Sequence, residues 1–142
     1  MATFFGSHSG FPMARLSTLY EVADGQTLHS LIAPLTVGER DCAHLHLEHL
    51  PADSLTLFDR GYPGHWLFAL FAQQQRHFLM RLPCGYNAQV KAFLYSGQVE
   101  NTQLFVANHP EARLFCSEAG VDPASQIELR PVSYTHLRAH ET

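Results

Sequence analysis

Leu55-Thr-Leu-Phe-Asp-Arg-Gly-Tyr-Pro-Gly64 is the most informative stretch of the chain. Leu55 to Phe58 is short and apolar, bounded by Asp53-Ser54 on one side and Asp59-Arg60-Gly61 on the other. An apolar run held between turn formers predicts a buried strand of a parallel or mixed sheet. Pro63-Gly64 then opens a predicted helix, His65 to Gln75, with Trp66, Leu67, Leu70 and Phe71 on one side. Arg76-His-Phe-Leu-Met-Arg81 follows as a further strand, stopped by Pro83 and Gly85. Asp59 therefore stands at the carboxyl end of a strand, where open α/β sheets place ligands and catalytic groups. A carboxylate held there, partly out of water, needs a cation or a hydrogen-bond network to stay ionised. Mg²⁺ fits that need through its preference for hard oxygen ligands. A helix cap, or a pair with Arg60, meets it with no ligand at all.

Upstream, Arg15 to Val22 alternates apolar and polar residues and reads as a strand. Asp24-Gly25 is a hairpin turn signal, and Thr27 to Pro34 makes the returning strand. Gly38 introduces a helix over Glu39 to Leu50, with Ala43, Leu47 and Leu50 at helical spacing and Pro51 beyond. Met1 to Pro12, rich in glycine and serine, reads as a loop. Downstream the pattern weakens. Val90, Phe93 and Leu94 suggest a short helix or strand, Gln103 to Ala107 a strand, and Ile127 to Leu129 another. The order predicts an α/β layer structure with helices covering a mixed sheet.

The chain of 142 residues has the length of about one domain, and 46% apolar with 15% charged residues is a globular composition. Nine Lys plus Arg against 13 Asp plus Glu leaves a formal charge of −4, and Lys91 is the one lysine. That balance argues against a free-standing nucleic-acid binder, which carries a basic patch and a high pI. A piece of a larger nucleic-acid enzyme stays open. Cys42, Cys84 and Cys116 are odd in number and widely spaced, which favours a reducing compartment over a disulfide framework. No apolar run is long enough for a membrane span, and the start lacks the features of a signal peptide. The expectation is a cytosolic domain with no membrane partner.

Cys42, His46 and His49 fall at i, i+4 and i+7 on one side of the predicted helix, a geometry zinc would use. The same side merges with Ala43 and Leu50, so a histidine-rich amphipathic edge is the favoured reading. His44 and Glu48 form an outward i, i+4 pair. Cys84, beside Gly85, has no partner and reads as a buried small residue. Arg60 and Arg81 share the Asp59 edge, where each contacts a phosphate or pairs with a local acid. Tyr62 has a ring that can stack on a base, whereas Trp66 shares the helix stripe with Leu70 and reads as core.

Phe58-Asp-Arg-Gly-Tyr-Pro-Gly-His-Trp-Leu-Phe68 resembles the segment that carries the second catalytic aspartate of DDE transposases of the insertion-sequence-four type. Four further blocks resemble that family in its order. Ala14 to Val22 is similar to its strand after the first aspartate, Gly38-Glu-Arg40 to its helix start, and His77 to Pro83 to its next strand. Asn87 to Arg130, through Ser96-Gly97 and Ile127-Glu-Leu-Arg130, is similar to its inserted β region. The resemblance spans roughly Phe4 to Arg130.

The resemblance implies a ribonuclease-H-like fold in which two aspartates and a glutamate hold two divalent ions, Mg²⁺ or Mn²⁺, for in-line phosphoryl displacement on DNA. Asp59 is then the second acid, and Arg81, Arg60 and Tyr62 are the DNA-facing side chains. The first acid belongs on a strand just before Ala2, and the third on a helix beyond the inserted region. Glu141 has none of the third acid's neighbours. The implied chain is an incomplete domain that binds no metal tightly and is inactive as written. The intact enzyme would bind transposon ends, pair as a homodimer in a synaptic complex, and act at bacterial DNA in the cytoplasm. A non-enzymatic remnant that inhibits an intact transposase is the alternative. A different nuclease of the same fold, drawing acids from Glu21, Asp24 or Glu39, is a third. Residues 131–142, with Val132-Ser-Tyr-Thr-His-Leu-Arg-Ala-His-Glu-Thr142, resemble a translated sequencing-adapter read-through, which implies a tail without function after about Arg130.

Overall fold

The structure, a computed structural model, describes residues 7–8, 11–107 and 109–133. Residues 134–142, and Glu141 with them, lie outside the described residues, as do residues 1–6 of the expected N-terminal loop. That loop contains a small antiparallel pair, β1 (Ser7–His8) with β2 (Phe11–Pro12).

The hairpin forms as expected, from β3 (Arg15–Glu21) and β4 (Gln26–Ala33), with Gly25 at φ 67 in the turn. That positive φ suits glycine, which has no Cβ to clash. Along β3 burial alternates: Ser17 and Leu19 face inward, Leu16, Thr18 and Tyr20 outward. The next helix is shorter than its apolar spacing suggests. α1 spans Glu39–His46 and passes into a 3₁₀ turn, η1 (Leu47–His49), ahead of Pro51. Pro51 has no N–H and forces the residue before it out of helical conformation, and Leu50 is extended accordingly. Asp41 Oδ2 accepts a 2.9 Å hydrogen bond from the Gly38 amide at the start of α1.

β5 (Leu55–Phe58), α2 (His65–Gln73) and β6 (His77–Met80) form the expected strand, helix, strand unit, with β5 and β6 parallel and Phe58 opposite Met80. β5 is not buried as expected but half-buried, with Thr56 and Phe58 inward and Leu55 and Leu57 exposed, because α2 covers only one face of the ladder. Every residue of α2 from His65 to Phe71 is buried, where the sequence pattern suggested one apolar side. A helix buried all round needs a layer on each side. β6 covers one side of α2, while α4 (Pro110–Glu118) and β8 (Ile127–Leu129) cover the other. Phe68 stacks on Phe78 at 5.7 Å, and Phe71 meets Phe58 and Phe78 edge to face. Removing one such fully buried phenylalanine from water stabilises the fold by about 2–3 kcal/mol.

Between β6 and β8 the chain forms α3 (Ala88–Tyr95), whose first turn is capped by the Asn87 side chain accepting from the Val90 amide at 2.8 Å, and then β7 (Gln103–Phe105), antiparallel to β8. Asn87 to Arg130 thus contains two helices beside its one β ladder. Val132 bridges to Glu100, and the Ser133 amide donates to Val99 O, so the described start of the tail lies along the loop before β7. The fold is mixed α/β. Among the described residues its strands form four separate two-stranded ladders, where a single mixed sheet was expected.

Candidate functional site

Asp59 follows β5 directly, and its position is held by backbone. The Arg81 amide donates to Phe58 O at 3.1 Å, extending the parallel ladder by one step, and the Tyr62 amide closes a turn onto Asp59 O at 3.2 Å. The Asp59 side chain is exposed, not partly out of water as its place at a strand end suggested, because the turn after β5 carries it past the packed layer. Arg81 at the matching end of β6 places Nη1 3.8 Å from its Oδ1. Arg60 is exposed beside it. Tyr62 is half-buried, with its ring 5.1 Å from Phe58, and burial pushes its hydroxyl above the ordinary tyrosine value. Stacking on a base would require that ring to leave its packing.

The same edge collects more charge from α1 and β3. Arg15 Nη1 lies 3.3 Å from Glu39 Oε1. The Glu39 carboxylate also closes on the turn after Asp59, so that a Cβ at Gly61 would collide with it. The Arg40 side chain lies close against Gly64, leaving tight but not forbidden room for a Cβ there. Arg15, Arg40, Arg60 and Arg81 therefore rim an edge that also holds Asp59 and Glu39. These contacts fix the direction of β3. Its Arg15 end lies at the Asp59 end of β5, so β3 and β5 run in opposite directions. Glu21, six residues along β3, is about 20 Å away at ~3.3 Å per residue. It binds its own turn instead, accepting from the Ala23 amide at 3.1 Å. Glu21 and the adjoining turn residue Asp24 therefore cannot share an ion with Asp59.

A cavity of about 340 Å³ separates the two ladders. Ser17 to Val22 of the β3 edge line one wall and Ser54 to Phe58 the other, with Ala43, His46, Leu50 and Phe71 among its remaining walls. β3 hydrogen-bonds only to β4, and β5 only to β6, among the described residues. Each therefore turns an edge with unpaired backbone groups toward the cavity.

Among the described residues no group of three or more His, Cys, Asp or Glu side chains is arranged to hold a metal ion. Asp59 and Glu39 are two carboxylates, each paired with an arginine, and they do not make up the three acids that hold a pair of Mg²⁺ ions, so these residues by themselves do not fit that centre. The zinc geometry suggested by Cys42, His46 and His49 does not form either. Cys42 is fully buried, with its thiol pushed up by burial, while His46 turns to Ser17 and His29. His29 is a participant that the strand pattern gave no reason to single out.

The remaining sequence candidates divide between core and surface. Trp66 is core, with His44 edge-on at 6.2 Å, and His44 makes no ion pair with Glu48 among the described residues. Cys84 is exposed, a correction to its reading as buried, because the Pro83–Tyr86 turn carries it to the surface. No helix among the described residues is long and apolar enough to cross a membrane. No family model matches this chain, and neither a curated protein nor a solved structure does.

Proposed function

We propose that this chain is part of the catalytic domain of a DDE transposase of the insertion-sequence-four type, an enzyme that cleaves and joins DNA at transposon ends, and that Asp59 is one of its three metal-holding acids. The observation that carries the reading is the cavity between β3 and β5 beside Asp59. A ribonuclease-H-like sheet has its first-aspartate strand between two such strands, about 4.8 Å from each. Because β3 and β5 run in opposite directions, a strand laid parallel to β5 would bring its carboxyl end to the Asp59 edge. An acid at that end would stand beside Asp59, among Arg15, Arg40, Arg60 and Arg81, which suit a phosphate backbone. The first and third acids lie outside these 142 residues in this reading, and the 142-residue chain alone neither nicks nor joins DNA.

The test uses the chain together with its flanking reading frame, on DNA carrying the element's own ends and with Mg²⁺ or Mn²⁺. Asp59→Asn is expected to abolish nicking and strand transfer while leaving end binding intact. Full activity in Asp59→Asn, or activity of the 142-residue chain by itself, overturns the proposal.

A further inference from the structure

Four polar side chains from four elements meet behind the β3–β4 hairpin. His46 of α1 is buried, and its Nε2 shares a 2.9 Å hydrogen bond with Ser17 Oγ of β3. Its Nδ1 lies 2.8 Å from Nδ1 of His29 on β4. His49 of η1 covers His29 in turn, with ring centroids 3.7 Å apart and planes 28° from parallel. No other polar cluster among the described residues joins so many elements, and α1 touches β3 at this place.

Two Nδ1 atoms this close form a hydrogen bond only when one carries a hydrogen and the other a lone pair. One imidazolium in the pair preserves that bond. A second proton sets two N–H groups head to head with no acceptor between them and adds a like charge. Protonation of His49 brings a further positive charge against the stacked face of His29.

His29 is half-buried and His49 exposed, so water reaches those two rings, but the protein groups around the buried His46 offer little compensation. Ser17 is the polar contact from β3, and it does not titrate. On α1 the group one turn before His46 is the Cys42 thiol, pushed up by burial and so uncharged near neutrality. Tyr62 shares the cavity wall and has its hydroxyl pushed up by burial. Arg15 and Glu39 are paired with each other near the start of α1, and Asp41 is bound to the Gly38 amide. The charges that bear on His46 are those of His29 and His49.

We propose that His29, His46 and His49 form a pH-sensitive clasp that holds α1 and η1 on the β3–β4 hairpin near neutrality and releases them when a second proton enters. Opening takes up as many as two protons, so its equilibrium constant rises by up to about 100-fold per pH unit below the ordinary histidine range. Ala43, His46 and Leu50 line the gap between β3 and β5, so release also opens that gap.

Hydrogen exchange on the full chain tests the clasp, followed by mass spectrometry from about pH 8 to about pH 5 and corrected for intrinsic exchange. Amides from Cys42 to His49 are expected to lose at least about tenfold in protection per unit below about pH 6.5, and those from Leu67 to Phe71 much less. His29→Asn keeps a hydrogen-bonding atom near the Nδ1 position but does not titrate, and it flattens that slope. Protection of α1 that ignores pH, or an unchanged slope in His29→Asn, overturns the clasp. Should the variant fail to fold, ring titration by NMR in the natural chain decides. His46 protonating last of the three supports the clasp, and three independent titrations at the ordinary histidine value overturn it.

Discussion

Asp59 and Arg81 occupy the same place on two neighbouring parallel strands, each one step beyond the paired Phe58 and Met80, with Oδ1 and Nη1 3.8 Å apart. The backbone sets this relation, since the Arg81 amide closes the ladder onto Phe58 O. The side chains themselves are 77% and 62% exposed, so water screens most of their attraction. Arg81→Ala is expected to change folding stability by less than about 1 kcal/mol, read from urea denaturation. Under the proposed function, the same change in the chain with its flanking reading frame is expected to weaken end binding and reduce its salt slope by about one. Unchanged binding across salt concentrations counts against a phosphate contact.

Stability is expected to fall as the solution is acidified from neutrality. Burial lowers His46 below the ordinary histidine value, and the charges of His29 and His49 lower it further. Burial also lowers His65, against a weaker opposing hydrogen bond to the Ser125 backbone. The unfolded chain binds protons at these side chains from about pH 6.5 downward, before the folded chain does. The stabilisation is therefore complete above that value and is lost as pH drops through the lowered folded values. A urea midpoint as high at pH ~5.5 as at pH ~7.5 would refute this.

The three thiols are expected to react in two classes. Cys84 is exposed, while Cys42 and Cys116 are fully buried and pushed up by that burial, so they stay protonated near neutrality. Thiolate is the nucleophile, and access compounds the difference. Brief alkylation of the native chain, mapped by mass spectrometry, should mark Cys84 alone. Labelling of Cys42 or Cys116 at a similar rate would show that α1 or α4 opens readily.

Leu57 and Leu79 are register partners on β5 and β6, and both are about 60% exposed on the face away from α2. Leu16 and Ile32 form a second exposed apolar pair on the hairpin. Uncovered apolar strand faces beside unpaired edges promote association. Sedimentation should show concentration-dependent self-association, and Leu57→Lys should reduce it without changing the far-ultraviolet circular dichroism. A natural chain that stays monomeric at high concentration contradicts this expectation.

Local signals were legible where neighbours along the chain settle the matter. The strand Leu55–Phe58 and the start of α2 after Pro63-Gly64 lie where turn formers and apolar runs put them. The signals of α4 (Pro110–Glu118) are local too, although it stands outside the elements predicted from the sequence. Pro110 stands in its first turn, Ala112, Cys116 and Ala119 form a helical stripe, and Gly120 takes φ 71 just past its end. Phe68 and Ala69 were not legible as core. A one-sided stripe suffices for a helix on a surface, and only the packing of α4 and β8 on the far side buries them.

The sequence by itself determined the order of strands and helices from β3 to β6 and the standing of Asp59 at a strand end. Each depends on propensities, caps and turns spanning a few adjacent residues. Only the tertiary structure decided that β3 and β5 run oppositely with a cavity between them, that Glu39 and four arginines share the Asp59 edge, and that His29 meets His46. Those relations join residues far apart in the chain, and they come from how apolar faces close around α2, which no local pattern encodes.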